Sequence, residues 1–208
     1  MIIKFIKKYF LWLLVVPHLS GAIGMMFPAS RAFFMSLTPV MLVFTFIVVF
    51  IEELEWTRTN IGAIVLIFLG GYFAEFFGTN YGVLFGEYTY GTVLGPKIFG
   101  VPVTIALNWA MLCIATRSLV NRYSNCSFIA SVLAALIITA YDFILEPVAI
   151  KFDWWWWENV SVPAFNYFCW FGFTLLFQLF FRNVPQKTGS SFYILLVHIL
   201  FYVILLLI

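Results

Sequence analysis

The sequence predicts an all-α, polytopic bundle of about seven transmembrane helices, and three observations carry that reading. Of the 208 residues, 64% are apolar and only 10% are charged, whereas a soluble domain carries roughly 25% charged residues. The mean hydropathy is +1.04. Apolar stretches long enough to cross about 30 Å of hydrocarbon, roughly 17–25 residues as helix, recur along the whole chain. So much apolar surface exceeds what one aqueous core of this length can hide, and a single integral membrane domain over 1–208 follows.

The first stretch, 9–27, is rich in aromatics and runs into Phe27 and Pro28 without a small-residue cleavage site, so it reads as a retained helix rather than a signal peptide. The second, 33–51, ends at Glu52, Glu53 and Glu55, which stand beside Arg58 and read as a solvated loop. The third, 61–77, carries Glu75 near its end. The fourth, 101–118, holds Asn108 beside Trp109, and the fifth, 127–147, ends on Asp142 and Glu146. The sixth, 163–181, holds Asn166 beside Tyr167, and the seventh is 190–208.

One connection stands out. Residues 78–100 place Gly78, Gly82, Gly86, Gly91 and Gly95 among aromatics and a single carboxylate, Glu87. Loops above about 12–15 residues are functional or disordered as a rule. This one is too apolar and aromatic for disorder, which predicts a structured or re-entrant cap on one end of the bundle. The competing reading is an interfacial loop whose tyrosines sit in the headgroups.

Eight of the eleven basic residues, Lys4, Lys7, Lys8, Arg58, Arg117, Arg122, Arg182 and Lys187, fall on one side of this arrangement. Cations near helix ends stay cytoplasmic. The N-terminus is therefore expected in the cytoplasm and the 78–100 loop on the opposite face, in a bacterial inner membrane.

Several classes of chemistry drop out. The formal charge of +2 is scattered among loops, with no basic stripe for nucleic acid. Cys113, Cys126 and Cys169 show no C-x-x-C spacing and read as small packing residues. Two histidines, His18 and His198, cannot build the histidine-rich iron site of a membrane desaturase, and each reads as a packing residue, as does Gln178. No dinucleotide fingerprint, P-loop or paired D-x-x-x-D motif is present, so no metal and no cofactor is expected.

Acid–base chemistry remains. Six acids, Glu75, Glu87, Asp142, Glu146, Asp153 and Glu158, map to the half of the bundle capped by the glycine loop. Asp142 and Glu146 lie four apart, one turn along the same helix face. Two carboxyls so placed in a partly dry site cannot both ionise cheaply, so one is expected to keep its proton and serve as a donor. The competing reading is that both sit at the headgroup boundary, or pair with Lys97 and Lys151. Asp153 and Glu158 flank Trp154–Trp157, which fits an interfacial aromatic belt equally well, and these two acids read as interfacial. Asn108 and Asn166 need partners inside a membrane bundle, whether interhelical or a bound water.

The stretches Phe85-Gly86-Glu87-Tyr88-Thr89-Tyr90, Leu94–Pro102, Asn108-Trp109, Asp142–Pro147, Trp155–Trp157 and Val162–Tyr167 with Trp170, taken in that order, resemble the carotenoid biosynthesis membrane proteins that include the carotenoid 1',2'-hydratases. The resemblance runs from about residue 70 to 172. It implies addition of water across the terminal double bond of an acyclic carotenoid ψ-end, giving a tertiary alcohol without a redox cofactor. On that footing Asp142 is the expected proton donor and Glu146 its partner, with Glu75 and Glu87 as alternates. Tyr88, Tyr90, Trp109 and Tyr167 would line the pocket, and Asn108 or Asn166 would orient water. The expected partners are the carotenoid, water and membrane lipid; the sequence sets no oligomeric state. A cyclase making the same cation, and a carotenoid or lipid carrier without catalysis, are the alternatives.

Overall fold

The computed structural model describes residues 2–124, 126–159, 161–181, 184 and 190–208. Arg182 and Lys187, counted above for orientation, lie outside the described residues. The helices are α1 (Ile2–Lys8), α2 (Phe10–Met26), α3 (Pro28–Ser36), α4 (Thr38–Glu53), α5 (Arg58–Tyr81), α6 (Val103–Val120), α7 (Ser127–Lys151), α8 (Ala164–Phe181) and α9 (Tyr193–Leu207). Each of the seven expected stretches is largely helical, 33–51 being broken at Leu37, but fewer than seven are long enough to span. Helices α5 to α8 are each long and apolar enough to cross a membrane, and α1 with α2 and α3 with α4 qualify only as pairs bent by 73° and 52°. Among the described residues that makes four candidate spans, or six if each bent pair is one span. The 15 residues of α9 rise about 22 Å, short of the roughly 30 Å of hydrocarbon.

The break between α2 and α3, at Phe27, has a local cause. Pro28 opens α3 and pushes Phe27 into extended backbone, φ −94° and ψ 124°. The carbonyls left open at the end of α2 are taken by side chains of α3: Ser30 Oγ donates to Gly24 O at 2.7 Å and Arg31 Nε to Met25 O at 2.9 Å. At the start of α5, Thr57 Oγ1 accepts from the Asn60 N–H at 3.2 Å, capping the helix. Its far end stops at Gly82, left-handed at φ 63°.

Helix α6 is the axis of the bundle, packed against α4, α5, α7, α8 and α9, with nearly every side chain buried. At its end remote from the glycine loop the chain departs from expectation. Glu52 and Glu53 are buried in the last turn of α4, not solvated, and only Glu55 and Arg58 of that group are exposed. Ser118 Oγ and the Ser191 N–H donate to Glu53 Oε1 at 3.0 and 2.8 Å, and Ser190 Oγ to Glu52 Oε1 at 2.9 Å. Arg117 is buried too. Its guanidinium donates to Gln178 Oε1 at 3.0 Å, to Ser131 Oγ at 2.8 Å and to the Gln178 carbonyl. Three helices are tied together by polar groups that must find partners away from water.

Within the 78–100 segment and just beyond it the chain is organised by strand pairing. Strand β1 (Tyr88–Tyr90) pairs antiparallel with β4 (Trp155–Trp157), and β2 (Lys97–Ile98) with β3 (Val101–Pro102). The β2–β3 turn places Phe99 and Gly100 at φ 47° and 83°, the double positive φ of a two-residue I′ hairpin. Tyr72 Oη and Asn80 Nδ2, both on α5, donate to the carbonyls of Ile98 and Phe99 at 2.7 and 2.9 Å and hold this hairpin down. In the β1–β4 ribbon the Gly91 N–H donates to Trp154 O at 2.8 Å. A Cβ at Gly91 would lie 1.9 Å from Asp153 O, so the two chains approach this closely only because residue 91 is glycine.

Candidate active site

Under the β1–β4 ribbon three carboxyls meet. Glu75 comes from α5, Asp142 and Glu146 from α7, and all three are at most 3% exposed. Glu75 stands one turn beyond Gly71, where an added Cβ would fall 2.7 Å from the Trp109 ring. The missing side chain lets α5 and α6 close up, and Trp109 Nε1 then donates to Glu75 Oε1 at 3.0 Å. The other oxygen, Oε2, accepts from Tyr88 Oη at 2.6 Å and Tyr90 Oη at 2.7 Å. Burial first, and the neighbouring Glu75 carboxyl second, hold both phenols well above the ordinary tyrosine value. Both therefore stay protonated and donate, and three donors around one carboxyl suit its ionised form.

Glu146 is bound from the other side. Trp155 Nε1 and Trp157 Nε1 donate to its Oε2 at 2.9 and 2.8 Å. The Asn166 amide, from α8, bridges the α7 pair: Nδ2 donates to Asp142 Oδ2 at 2.8 Å and reaches Glu146 Oε1 at 3.3 Å. Asp142 Oδ1 is buried without a hydrogen-bond partner. The two oxygens least engaged by donors are thus Asp142 Oδ1 and Glu146 Oε1. A carboxyl proton fits on either without displacing a bond.

Lys97 Nζ donates to Tyr90 O at 2.5 Å, and Lys151 Nζ to the carbonyls of Leu205 and Leu206 at 3.0 and 3.1 Å. Among the described residues neither lysine binds Asp142 or Glu146, whose partners are Asn166, Trp155 and Trp157.

Glu75 and Glu146 face a small cavity of about 20 Å³, also lined by Asn108, Asn166 and the rings of Tyr88, Tyr90, Trp155 and Trp157. A water needs about 10–15 Å³ measured this way and two to four polar partners, so the space suits one water. Phe85 closes it from above. Its backbone is left-handed at φ 65°, a conformation costing about 1–3 kcal/mol for such a residue, and its ring lies among Trp109, Trp170 and Phe173. Trp109 and Trp170 stack at 3.8 Å and 8°, worth about 0.5–1.5 kcal/mol beyond area burial.

Asn108, Ile105, Leu145 and Trp155 also line a second cavity of about 260 Å³, which extends between α2, α4, α7 and α9. Its walls are mostly apolar, with polar side chains among them. These include the two histidines that spacing alone left unconnected: His18 and His198 lie 4.9 Å apart by ring centroid. Tyr141 Oη bonds both His198 Nδ1 and Tyr202 Oη at 2.7 Å.

The fold therefore gathers Glu75, Asp142, Glu146, Tyr88, Tyr90, Asn108, Trp109 and Asn166. Trp109 reaches the site through Glu75, and Asp142 lies behind Glu146 rather than on the cavity wall. Two expected residues stand apart. Glu87 is exposed, contributing only its carbonyl to the Glu158 N–H at 3.1 Å. Tyr167 is partly exposed and packs on Phe143 at 5.4 Å. Conversely Trp155 and Trp157, which fit an interfacial belt equally well by sequence, line the small cavity and donate to Glu146. Their alternate spacing carried the signal: in a strand, residues two apart share a face, and Trp156 between them is 47% exposed.

The molecule is thus a helical protein with helices long and apolar enough to cross a membrane and a buried acid centre beside a mostly apolar cavity. The chain belongs to the carotenoid biosynthesis protein family, whose pattern it matches over residues 35–208. It is 32% identical over 120 residues to bisanhydrobacterioruberin hydratase of Haloarcula japonica, an alignment covering 52% of this chain and 40% of that relative. The match thus spans less than half the relative's length. No solved structure matches the chain.

Proposed function

We propose that the chain is a hydratase of carotenoid end groups, adding water across the terminal 1',2' double bond of an acyclic ψ-end. The observation that carries this is that Glu75, Glu146, two amides and an aromatic wall surround room for one water, with Asp142 bonded behind Glu146 through Asn166, beside a larger cavity that shares Asn108 and Trp155.

The polyene lies in the larger cavity with its terminal alkene turned past Asn108. The Asp142–Glu146 pair supplies a proton to C-2', and the π electrons form the new C–H bond, leaving a tertiary cation at C-1'. The Glu75 carboxylate and the faces of Tyr88, Tyr90, Trp155 and Trp157 stabilise that charge, each ring by about 0.5–2 kcal/mol. Water held by Asn108 and Asn166 attacks C-1' through oxygen and returns a proton to the carboxylate pair. One water is consumed, the acid is regenerated and no electrons leave the substrate. A positioned general acid contributes about 10²–10⁴-fold.

The test is expression in a bacterium that makes an acyclic carotenoid, with mass spectrometry of the pigments. A product heavier by one water, its oxygen derived from labelled water in membranes without added nicotinamide, flavin or oxygen, is the expected result. Unchanged mass with a new ring would mean cyclisation. Unchanged pigment would mean a carrier, and oxygen drawn from molecular oxygen would end the hydratase reading.

A further inference from the structure

A third cavity, about 130 Å³, lies between α2 and α9. Its walls are Val15, Leu19 and Ala22 on one helix and Val197, Leu200 and Ile204 on the other. His18 and Phe201 complete it, and the same two side chains line the 260 Å³ cavity. One edge-to-face pair of rings, 5.7 Å between centroids, thus stands between the inner cavity and the groove. On the groove's rim Leu19 and Leu200 are 49% and 63% exposed, on helices that carry no charge. The wall is one pair of rings thick. Opposite it stands Gly21, where an added Cβ would just touch Phe201 Cε2, at 3.6 Å. Pro17, immediately before His18, removes a rung of the α2 hydrogen-bond ladder.

Size makes the groove matter. Cavities of about 300–1,000 Å³ enclose ligands of drug size. The 260 Å³ space therefore holds an end of a long polyene and not the whole rod. We propose that the groove between α2 and α9 is a second binding subsite, through which the rest of the polyene passes sideways into lipid while its reacting end lies at the acid centre. This rests on the hydratase reading and specifies its substrate class: long isoprenoids with one free ψ-end, whatever their other end carries. The protein reads one end only. A substrate with two such ends would react at them in separate encounters.

The experiment compares three substrates in reconstituted membranes: lycopene, a polyene of equal length whose distal end is cyclised, and an isoprenoid alkene of farnesene size, short enough for the inner cavity. Wild-type protein should hydrate both long polyenes at similar rates. The variant Leu19→Trp/Leu200→Trp, which fills the groove from two lipid-exposed positions, should lose about tenfold or more in kcat/KM for the long polyenes, equivalent to about 1.4 kcal/mol of lost binding. The short alkene should be unaffected. Strong discrimination by the wild type against the cyclised distal end, or equal rates for long polyenes in variant and wild type, would overturn the subsite. Wild-type protein that hydrates none of the three removes the hydratase reading itself. Should the variant lose all activity, wild-type protein photolabelled by a polyene with a diazirine at its distal end decides: adducts on α2 or α9 support the groove, and adducts confined to other helices exclude it.

Discussion

Asp142 and Glu146 share one amide, and the division of labour between them follows from which oxygens that amide and the two indoles leave open. Asp142→Asn keeps size and hydrogen bonding but removes the transferable proton, so hydrated product should fall by about 10²-fold or more with the protein still inserted. Glu146→Gln faces the same two indole donors with an amide that can oppose them with its own N–H groups, and should reduce product as well. Pigment analysis normalised to inserted protein checks both, and near-normal product from Asp142→Asn would move the donor role to Glu75. Glu53 provides the contrast. It looks like a loop residue beside Glu52 and Glu55, yet it receives Ser118 Oγ and the Ser191 N–H. Glu53→Ala should leave turnover per folded molecule unchanged while lowering stability, since each buried donor left without an acceptor costs about 1–3 kcal/mol. Thermal melting in detergent measures that loss.

At the scale of elements, the β1–β4 ribbon is what converts a helix bundle into a site. It carries Tyr88 and Tyr90 to Glu75 and Trp155 and Trp157 to Glu146, and its closure depends on Gly91. Gly91→Ala sets a methyl against Asp153 O, a backbone atom fixed by the ribbon itself. The strands must part by an ångström or more. Misplacement of that size costs about 10²-fold in turnover, and the indoles should leave Glu146. Activity should fall sharply with helix content unchanged by far-ultraviolet circular dichroism, accompanied by altered tryptophan fluorescence. A variant with wild-type activity and fluorescence would show that the ribbon does not position these groups.

For the whole molecule, the bundle has two polar ends with different tasks. One holds Glu52, Glu53 and Arg117 in interhelical bonds; the other gathers the acid centre under the ribbon. We propose that the first end is cytoplasmic, as the distribution of Lys and Arg suggests. Reporter fusions or cysteine labelling should place Lys4–Lys8 in the cytoplasm and residue 87 on the opposite face. Both on the same face would refute the orientation.

The helices are legible in the chain's hydropathy, because apolar runs of membrane length leave the backbone no other way to satisfy its own hydrogen bonds. The Asp142–Glu146 pair is legible too, since a four-residue spacing fixes a shared helix face whatever surrounds it. Glu75, Asn108 and Asn166 were legible as polar residues that must find partners, and the segment 78–100 as something ordered. Tertiary structure alone decided who those partners are. Hydropathy places Trp154–Trp157 at an interface equally well whether they face headgroups or a carboxyl, and only pairing with Tyr88–Tyr90, some 67 residues earlier, turned Trp155 and Trp157 inward. The same holds for Glu53: a carboxylate after an apolar run reads as the start of a loop, and its burial depends on Ser118 and Ser191, residues brought to it by helix packing. Local spacing is encoded in consecutive residues, whereas burial and hydrogen-bond partnership are properties of elements distant in the chain.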